Sequence, residues 1–407
     1  MIFSLPPQQM LRLRTIPALC ALLTVTAGLA ECQRAPVPPD CSGSDTSAVN
    51  VAPTQVRFDC GTLAAVDAMA RQAVLSGYTP GLSIAIMRGS QLILSQGYGK
   101  ANIETDSPVT PATVFPIYSI SKTFTASAIM QLRDAGRLSL DDKLAKFLPA
   151  FPRGDQVSLR QLLSHTSGIH DYMDRSRPDE KTKFTFDRIL EIIQAQTPLY
   201  DFDPGAAYRY SNSNFALLAK IVELTSGMPY RTYVRDSVIA RADLQQTDFD
   251  APMDIVPGRV SGYWRTSTAG TFVNGSFQDP SFGLGASGIR STALEMAHWL
   301  IALFGGKVVS PASFKEMTTS ARLNDGRLTG GSWGSYGLGM EIQSCQAHRA
   351  IGHSGATTGF SADARRYVDD DLEIVVLANS STSAVIVQER IAKLMLIPGS
   401  GSTACSH

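Results

Sequence analysis

The chain has 407 residues, 44 % hydrophobic and 18 % charged, with 36 basic residues balanced by 36 acidic ones. That length can bury a large core, and the composition is far from that of a disordered chain. Zero net charge and the lack of any block of like charge argue against a nucleic-acid or membrane-surface partner and leave a neutral globular protein.

In chain order, Arg12 and Arg14 precede the apolar run "TIPALCALLTVTAGLA", which ends in small residues before Glu31. This reads as a secretory leader over residues 1–30, with Gly28 and Ala30 placed for cleavage, and predicts a secreted or periplasmic protein. The run is too short for a transmembrane span, and no other stretch qualifies. A second reading takes "LAEC" as a lipoprotein-like signal that anchors the chain through Cys32. Residues 31–61, rich in Pro, Ser, Asp and Thr, read as a tether. Of the six cysteines, Cys20 lies in the leader. The other five are an odd set, which falls to four if Cys32 carries a lipid. No Cys-x-x-Cys, His-x-His or His-Glu-x-x-His spacing occurs, so neither a metal nor a cofactor is expected.

The folded domain is expected over 62–398, with 399–407 a tail. Leu63, Val66, Ala70 and Val74 recur at helical spacing until Gly77. "LSIAIM" and "LILSQGYG", joined by Arg88-Gly89-Ser90-Gln91, predict a hairpin. "FSADARRYV" and "LEIVVLAN" predict a second one near the other end, followed by a closing helix. The fold class is therefore α/β in the α+β sense. One antiparallel sheet is built from both ends of the domain (about 62–118 and 290–398) and flanked by helices. A helical part, about 119–289, lies between.

Three short motifs carry chemistry. In "YSISKTFTASAIMQL", Ser119 stands at the start of a helical pattern, with Lys122 three residues on and on the same face. A serine hydroxyl is a weak nucleophile until a base takes its proton, and a desolvated neutral lysine can do that. The alternative is a helix N-cap beside a solvated lysine. Tyr210-Ser211-Asn212 precedes a helix with Phe215, Leu218 and Ile221 as its buried stripe. Tyr210 can shuttle a proton and Asn212 orient substrate, or Asn212 or Ser213 can simply cap the helix. "GHSGATTGF" places His353, Gly355 and Ala356 on a strand whose glycines permit close backbone approach of a ligand.

In that order the three motifs resemble those of the serine β-lactamase and penicillin-binding-protein superfamily. "RQLLSHTSGIHDY", "PGAAYRYSNSNFALLAKIVE", "YGLGM" and "VVLANSS" are similar to its D-alanyl-D-alanine carboxypeptidase branch, close to class C β-lactamases. The resemblance runs from about Thr62 to Leu396. It implies a β-lactamase/transpeptidase-like fold with an all-helical subdomain. It also implies a monomeric serine hydrolase that forms a Ser119 acyl-enzyme on amide or ester carbonyls of small molecules or peptides. Lys122 and Tyr210 would share the acid–base work, and Asn212 and His353 would contact substrate. Ser119 and Ala356 would supply oxyanion amides, and Phe282 would line the pocket. Cys345 and Cys405 lie where that branch places a disulfide, and "HTSGI", with His165, would be a structural turn.

Two positions depart from the pattern. Glu341 stands where the branch has a carboxylate-gripping arginine, and Ala356 where it has a hydroxyl, with Arg290 or Thr357 as candidate substitutes. The sequence thus leaves carboxypeptidase, β-lactamase, esterase and D-aminopeptidase open within the enzyme class. A non-catalytic penicillin-binding sensor is the non-enzyme alternative. A Gly-x-Ser-x-Gly match at Gly330–Gly334 lacks the flanking strand and helix that a nucleophile elbow requires.

Overall fold

A computed structural model describes residues 60–175, 182–268, 270–330, 334–345, 348–357, 359–381 and 383–396. The leader, most of the tether, the tail, Cys32, Cys41 and Cys405 lie outside the described residues, as do the side chains of Cys60 and Cys345 and hence the disulfide expected of Cys345.

The helix read from Leu63 is α1, Cys60–Leu75, which starts inside the expected tether and buries Val66 and Ala70. Both hairpins form. β1 is Gly81–Arg88 and β2 is Gln91–Asn102, joined through Gly89 at φ +54. A short β3 follows at Ser107–Pro108. The C-terminal third adds β4 (Ser335–Tyr336), β5 (Glu341–Cys345), β6 (His348–Thr357), β7 (Phe360–Tyr367) and β8 (Leu372–Ala378). They form one eight-stranded antiparallel sheet, ordered β3-β2-β1-β8-β7-β6-β5-β4. The two ends of the domain meet at the β1–β8 seam, in register from Leu82↔Ala378 to Arg88↔Leu372.

Strand alternation sends neighbouring side chains to opposite faces, and here both faces are covered. Leu82, Ile84, Ile86, Ile374 and Val376 pack with Val66 and Ala70 of α1 and with Val387 and Ile391 of the closing helix. Ala85, Met87, Val375 and Leu377 pack into a second core with the rest of the helices. That explains why every residue of β8 is buried, although an antiparallel strand with one wet face would alternate.

Four more helices matter for the site: α2 (Ser121–Asp134), α3 (Asn212–Ser226), α4 (Ala293–Phe304) and α5 (Ser383–Leu396). Trp299 of α4 stacks on Phe124 of α2 at 3.8 Å, and its indole N–H donates to Thr123 Oγ1 at 3.0 Å. This clamps the helix that carries Lys122 against the sheet-covering helix. The middle segment also contains short strands. Asp248–Phe249 and Phe115–Pro116 flank Ile289–Ser291, and Tyr263–Arg265 pairs with Phe272–Asn274. Strands of two or three residues are too short to show a period in the sequence.

Among the described residues, no helix is long and apolar enough to cross a membrane, and no group of three or more His, Cys, Asp or Glu could hold a metal.

Candidate active site

Ser119 lies in a 3₁₀ turn, Tyr118–Ile120, that leads into α2. Tyr118 has φ +44, a sparsely populated conformation for an aromatic residue and a mark of local strain. The residue that caps α2 is Ile120, with no side-chain cap, so Ser119 is not the N-cap. Its hydroxyl instead lies 3.0 Å from Lys122 Nζ.

Lys122 is fully buried. Besides Ser119, its Nζ meets Asn212 Oδ1 at 2.8 Å and the carbonyl of Ala286 at 2.9 Å. The last two groups only accept. A neutral amine has two N–H donors for them and one lone pair left for the Ser119 hydroxyl, so the partner set suits a base. Burial pushes the lysine down to about 7, against the opposing pull of Asp171 and Glu341.

Asn212 is the first residue of α3, while Ser211 stands at the cap without a side-chain bond. The Asn212 side chain does not cap the helix. It accepts from Lys122, and its amide donates to Asp171 Oδ2 at 2.8 Å. Asp171 is itself buried and accepts the Met173 amide at 3.0 Å. Burial raises its carboxyl, and the Met173 and Asn212 bonds and Lys122 offset this in part. Sequence reasoning did not single out Asp171. It sits in "HTSGIHDY" with no spacing that ties it to Lys122.

Tyr210 is half-buried, with Lys122 Nζ 4.8 Å from its ring centroid. Burial holds its phenol well above the usual value, eased by a hydrogen bond with Ser119, so it stays protonated at neutral pH. His165, at φ +58, supports it from behind: the two rings lie 4.3 Å apart, and His165 Nδ1 accepts the Ser211 amide at 3.1 Å.

The strand side closes the site. β5 pairs with β6 only as far as Glu341↔Gly352, so among the described residues His353 to Thr357 have no strand partner on that edge. A Cβ at Gly355 would overlap the Ile117 carbonyl and crowd the Ser119 amide at 3.0 Å. Only glycine lets the strand pass this close to the Ser119 turn. Ala356, next along, is exposed.

His353 was expected to meet substrate, yet both ring nitrogens are used within the protein. Nδ1 donates to the Ser354 carbonyl at 2.5 Å, which leaves Nε2 to accept from Tyr336 Oη at 2.9 Å. Burial lowers it to about 4, so the ring is neutral. Glu341 faces Arg365 at 2.7 Å and accepts from Ser354 Oγ at 2.9 Å. Burial works to raise its carboxyl, but His353, Arg365 and the Ser354 bond hold it at about 2. Arg365 is also paired with Asp363, Nε to Oδ1 at 2.9 Å. Arg290 donates to the Gln246 carbonyl at 3.2 Å and lies 3.9 Å from Asp250. Thr357 gives its carbonyl to the Ser381 hydroxyl at 2.9 Å.

Phe282 does not line the site. It is 3 % exposed and packs between Tyr172 and Phe184, with ring centroids 5.0 Å from each. Its apolar character fits a core residue equally well, which is why sequence alone misplaced it.

Comparison with known proteins gives the family of the chain. Penicillin-binding protein 4* of Bacillus subtilis is 28 % identical over 312 residues, 73 % of this chain and 67 % of the relative. A D-aminopeptidase of Cereibacter sphaeroides is 26 % identical over 309 residues, 75 % of this chain and 58 % of the relative. The chain thus spans about two thirds or less of these relatives' lengths. The octameric penicillin-binding protein homologue from Pyrococcus abyssi shares the fold with a TM-score of 0.71 and 25 % identity, over 82 % of this chain and 77 % of that one. The family model described as Beta-lactamase matches residues 66–397, and the chain, a serine-type hydrolase by descent, belongs to that family.

Proposed function

We propose that this protein is an exported hydrolase that cleaves amide or ester carbonyls through an acyl-enzyme on Ser119. The observation that carries the reading is the fully buried Lys122, 3.0 Å from the Ser119 hydroxyl, with acceptors on its other two sides. Neutral Lys122 takes the Ser119 proton as Oγ attacks the carbonyl carbon. The oxyanion develops against the amides of Ser119 and Ala356, where one such donor is worth about 10²–10³ in rate. The C–N or C–O bond then breaks. Tyr210 gives its proton to the departing nitrogen or oxygen and regains one from the Lys122 ammonium. Water adds to the acyl ester in the second half, passing a proton back to Ser119 and releasing the acid.

Of the activities open to the family, neutral amides and esters fit better than a peptide held by its C-terminal carboxylate. Arg365 is engaged by Glu341 and Asp363, Arg290 by Gln246 and Asp250, and Arg259 by Asp250. This supports D-aminopeptidase- or esterase-like specificity over D-alanyl-D-alanine carboxypeptidase. The leader supports delivery outside the cytoplasm, and since every group in the reaction comes from one chain, the monomer is a sufficient working unit.

The test is p-nitrophenyl acetate turnover together with intact-mass measurement after exposure to a penicillin. Ser119→Ala should lose at least about 10³-fold in turnover and all covalent adduct. Unchanged turnover in that variant would sink the reading.

A further inference from the structure

We propose that the cavity bounded by Tyr118, Phe277 and Phe360 receives the acyl side chain of the substrate and selects an aromatic group over an anionic one. This rests on the Ser119 acyl-enzyme reading. The cavity holds about 360 Å³, within the ~300–1,000 Å³ usual for small-molecule sites.

Its position follows from the elements that build the site. Tyr118 directly precedes the nucleophile, and Ser287, another wall residue, directly follows Ala286, whose carbonyl accepts from Lys122. Phe360 begins β7 and pairs with Thr357, the last residue of the open β6 edge. Three segments that border the Ser119–Lys122 site therefore contribute to the cavity wall, within reach of a group attached to the acyl carbon.

The chemistry of the walls narrows the occupant. Asp250 is paired with Arg259 at 2.8 Å, and Asp279 accepts the Ser281 amide and hydroxyl at 2.9 and 2.6 Å. Two carboxylates thus face the cavity against one guanidinium that is already paired, so an anionic side chain would enter without a partner, which is costly once water is excluded. The apolar surface combines Tyr118, Phe277 and Phe360 with Val260 and three prolines. The Tyr118 and Phe360 rings stand 6.0 Å apart at 37°, and Phe360 lies so close to Gly262 that a Cβ there would overlap the ring. Phe277, 49 % exposed at the cavity wall, contributes nothing to either core cluster. A further ring can pack on this aromatic wall edge-on or offset, at centroid distances of about 4.5–7 Å.

The test compares kcat/KM for p-nitrophenyl phenylacetate and p-nitrophenyl acetate, each normalised to its hydroxide-catalysed rate. The leaving group is shared, so the ratio reads the acyl arm alone. The unmodified protein should favour phenylacetate by about tenfold or more. Phe277→Ala, which removes a wall, and Gln278→Trp, which fills the cavity, should each bring the ratio toward one, with thermal unfolding as the check on folding. No preference in the unmodified protein, or an unchanged ratio in a folded variant, overturns the proposal. Persistent turnover of both esters by Ser119→Ala would instead break the acyl-enzyme reading beneath it.

Discussion

The site has two halves that use the same ingredients to opposite ends. On the helical side, a buried cation precursor, Lys122, is separated from the buried carboxylate of Asp171 by the Asn212 amide, with bonds of 2.8 Å on each side of the spacer. On the strand side, buried Arg365 touches Glu341 and Asp363 directly, at 2.7 and 2.9 Å. Direct contact locks a charge in place, and a guanidinium cannot give up its proton in any case. An amide spacer lets the field of a carboxylate reach the lysine without fixing its proton, while burial lowers the lysine to about 7. One half is thus arranged to move a proton, the other to hold a strand edge in shape.

The sharpest way to break this contrast is to make the first half like the second. Lys122→Arg keeps a cation but removes the possibility of a neutral base. Loss of general-base assistance should cost about 10²–10⁴ in kcat for p-nitrophenyl acetate, while the fold, followed by circular dichroism, persists. Full activity in that variant would mean that another group deprotonates Ser119.

The strand half predicts a stability effect in place of a catalytic one. Glu341→Ala leaves Arg365 with Asp363 alone and strips the Ser354 hydroxyl of its acceptor. Losing a hydrogen bond to a charged group should cost about 1.5–3 kcal/mol, read from urea unfolding. If stability is untouched but turnover collapses, Glu341 belongs to the chemistry and the division of labour above is wrong.

What the sequence made legible follows the same division. The closeness of Ser119, Lys122 and Tyr210 was readable because the proposed chemistry needs fixed residue types in ordered short motifs, and the hairpins around β1 and β8 because strand alternation and a glycine turn are local signals. Asp171 was not, since its link to Lys122 runs through Asn212 across a 41-residue separation in sequence. The direction in which His353 turns was equally hidden, because a histidine on a glycine-rich strand looks the same whether it faces substrate or Tyr336. Phe282 and Phe277 are interchangeable by composition. Only packing shows that the first is in the core and the second lines the cavity.

The smallest expected effect is the most discriminating. Asp171→Asn keeps one oxygen for the Asn212 amide and gives up the bond from the Met173 amide, which uses the other carboxylate oxygen, so the spacer can stay in place while the charge is lost. Lys122 is faced by Asp171 and Glu341, which favour its charged form, and by His165 and His353, neutral at working pH, with Tyr210 a neutral phenol beside it. In the proposed mechanism the base is the neutral amine, so kcat/KM should fall as pH drops through about 7 in the unmodified protein. Asp171 raises the lysine's pKa, so its removal lowers that pKa and the acid limb should move to lower pH, with the plateau changed less than about tenfold. A limb that stays in place would show that the carboxylate anchors Asn212 without biasing the proton on Lys122, and the amide spacer would then be insulation and not a conduit.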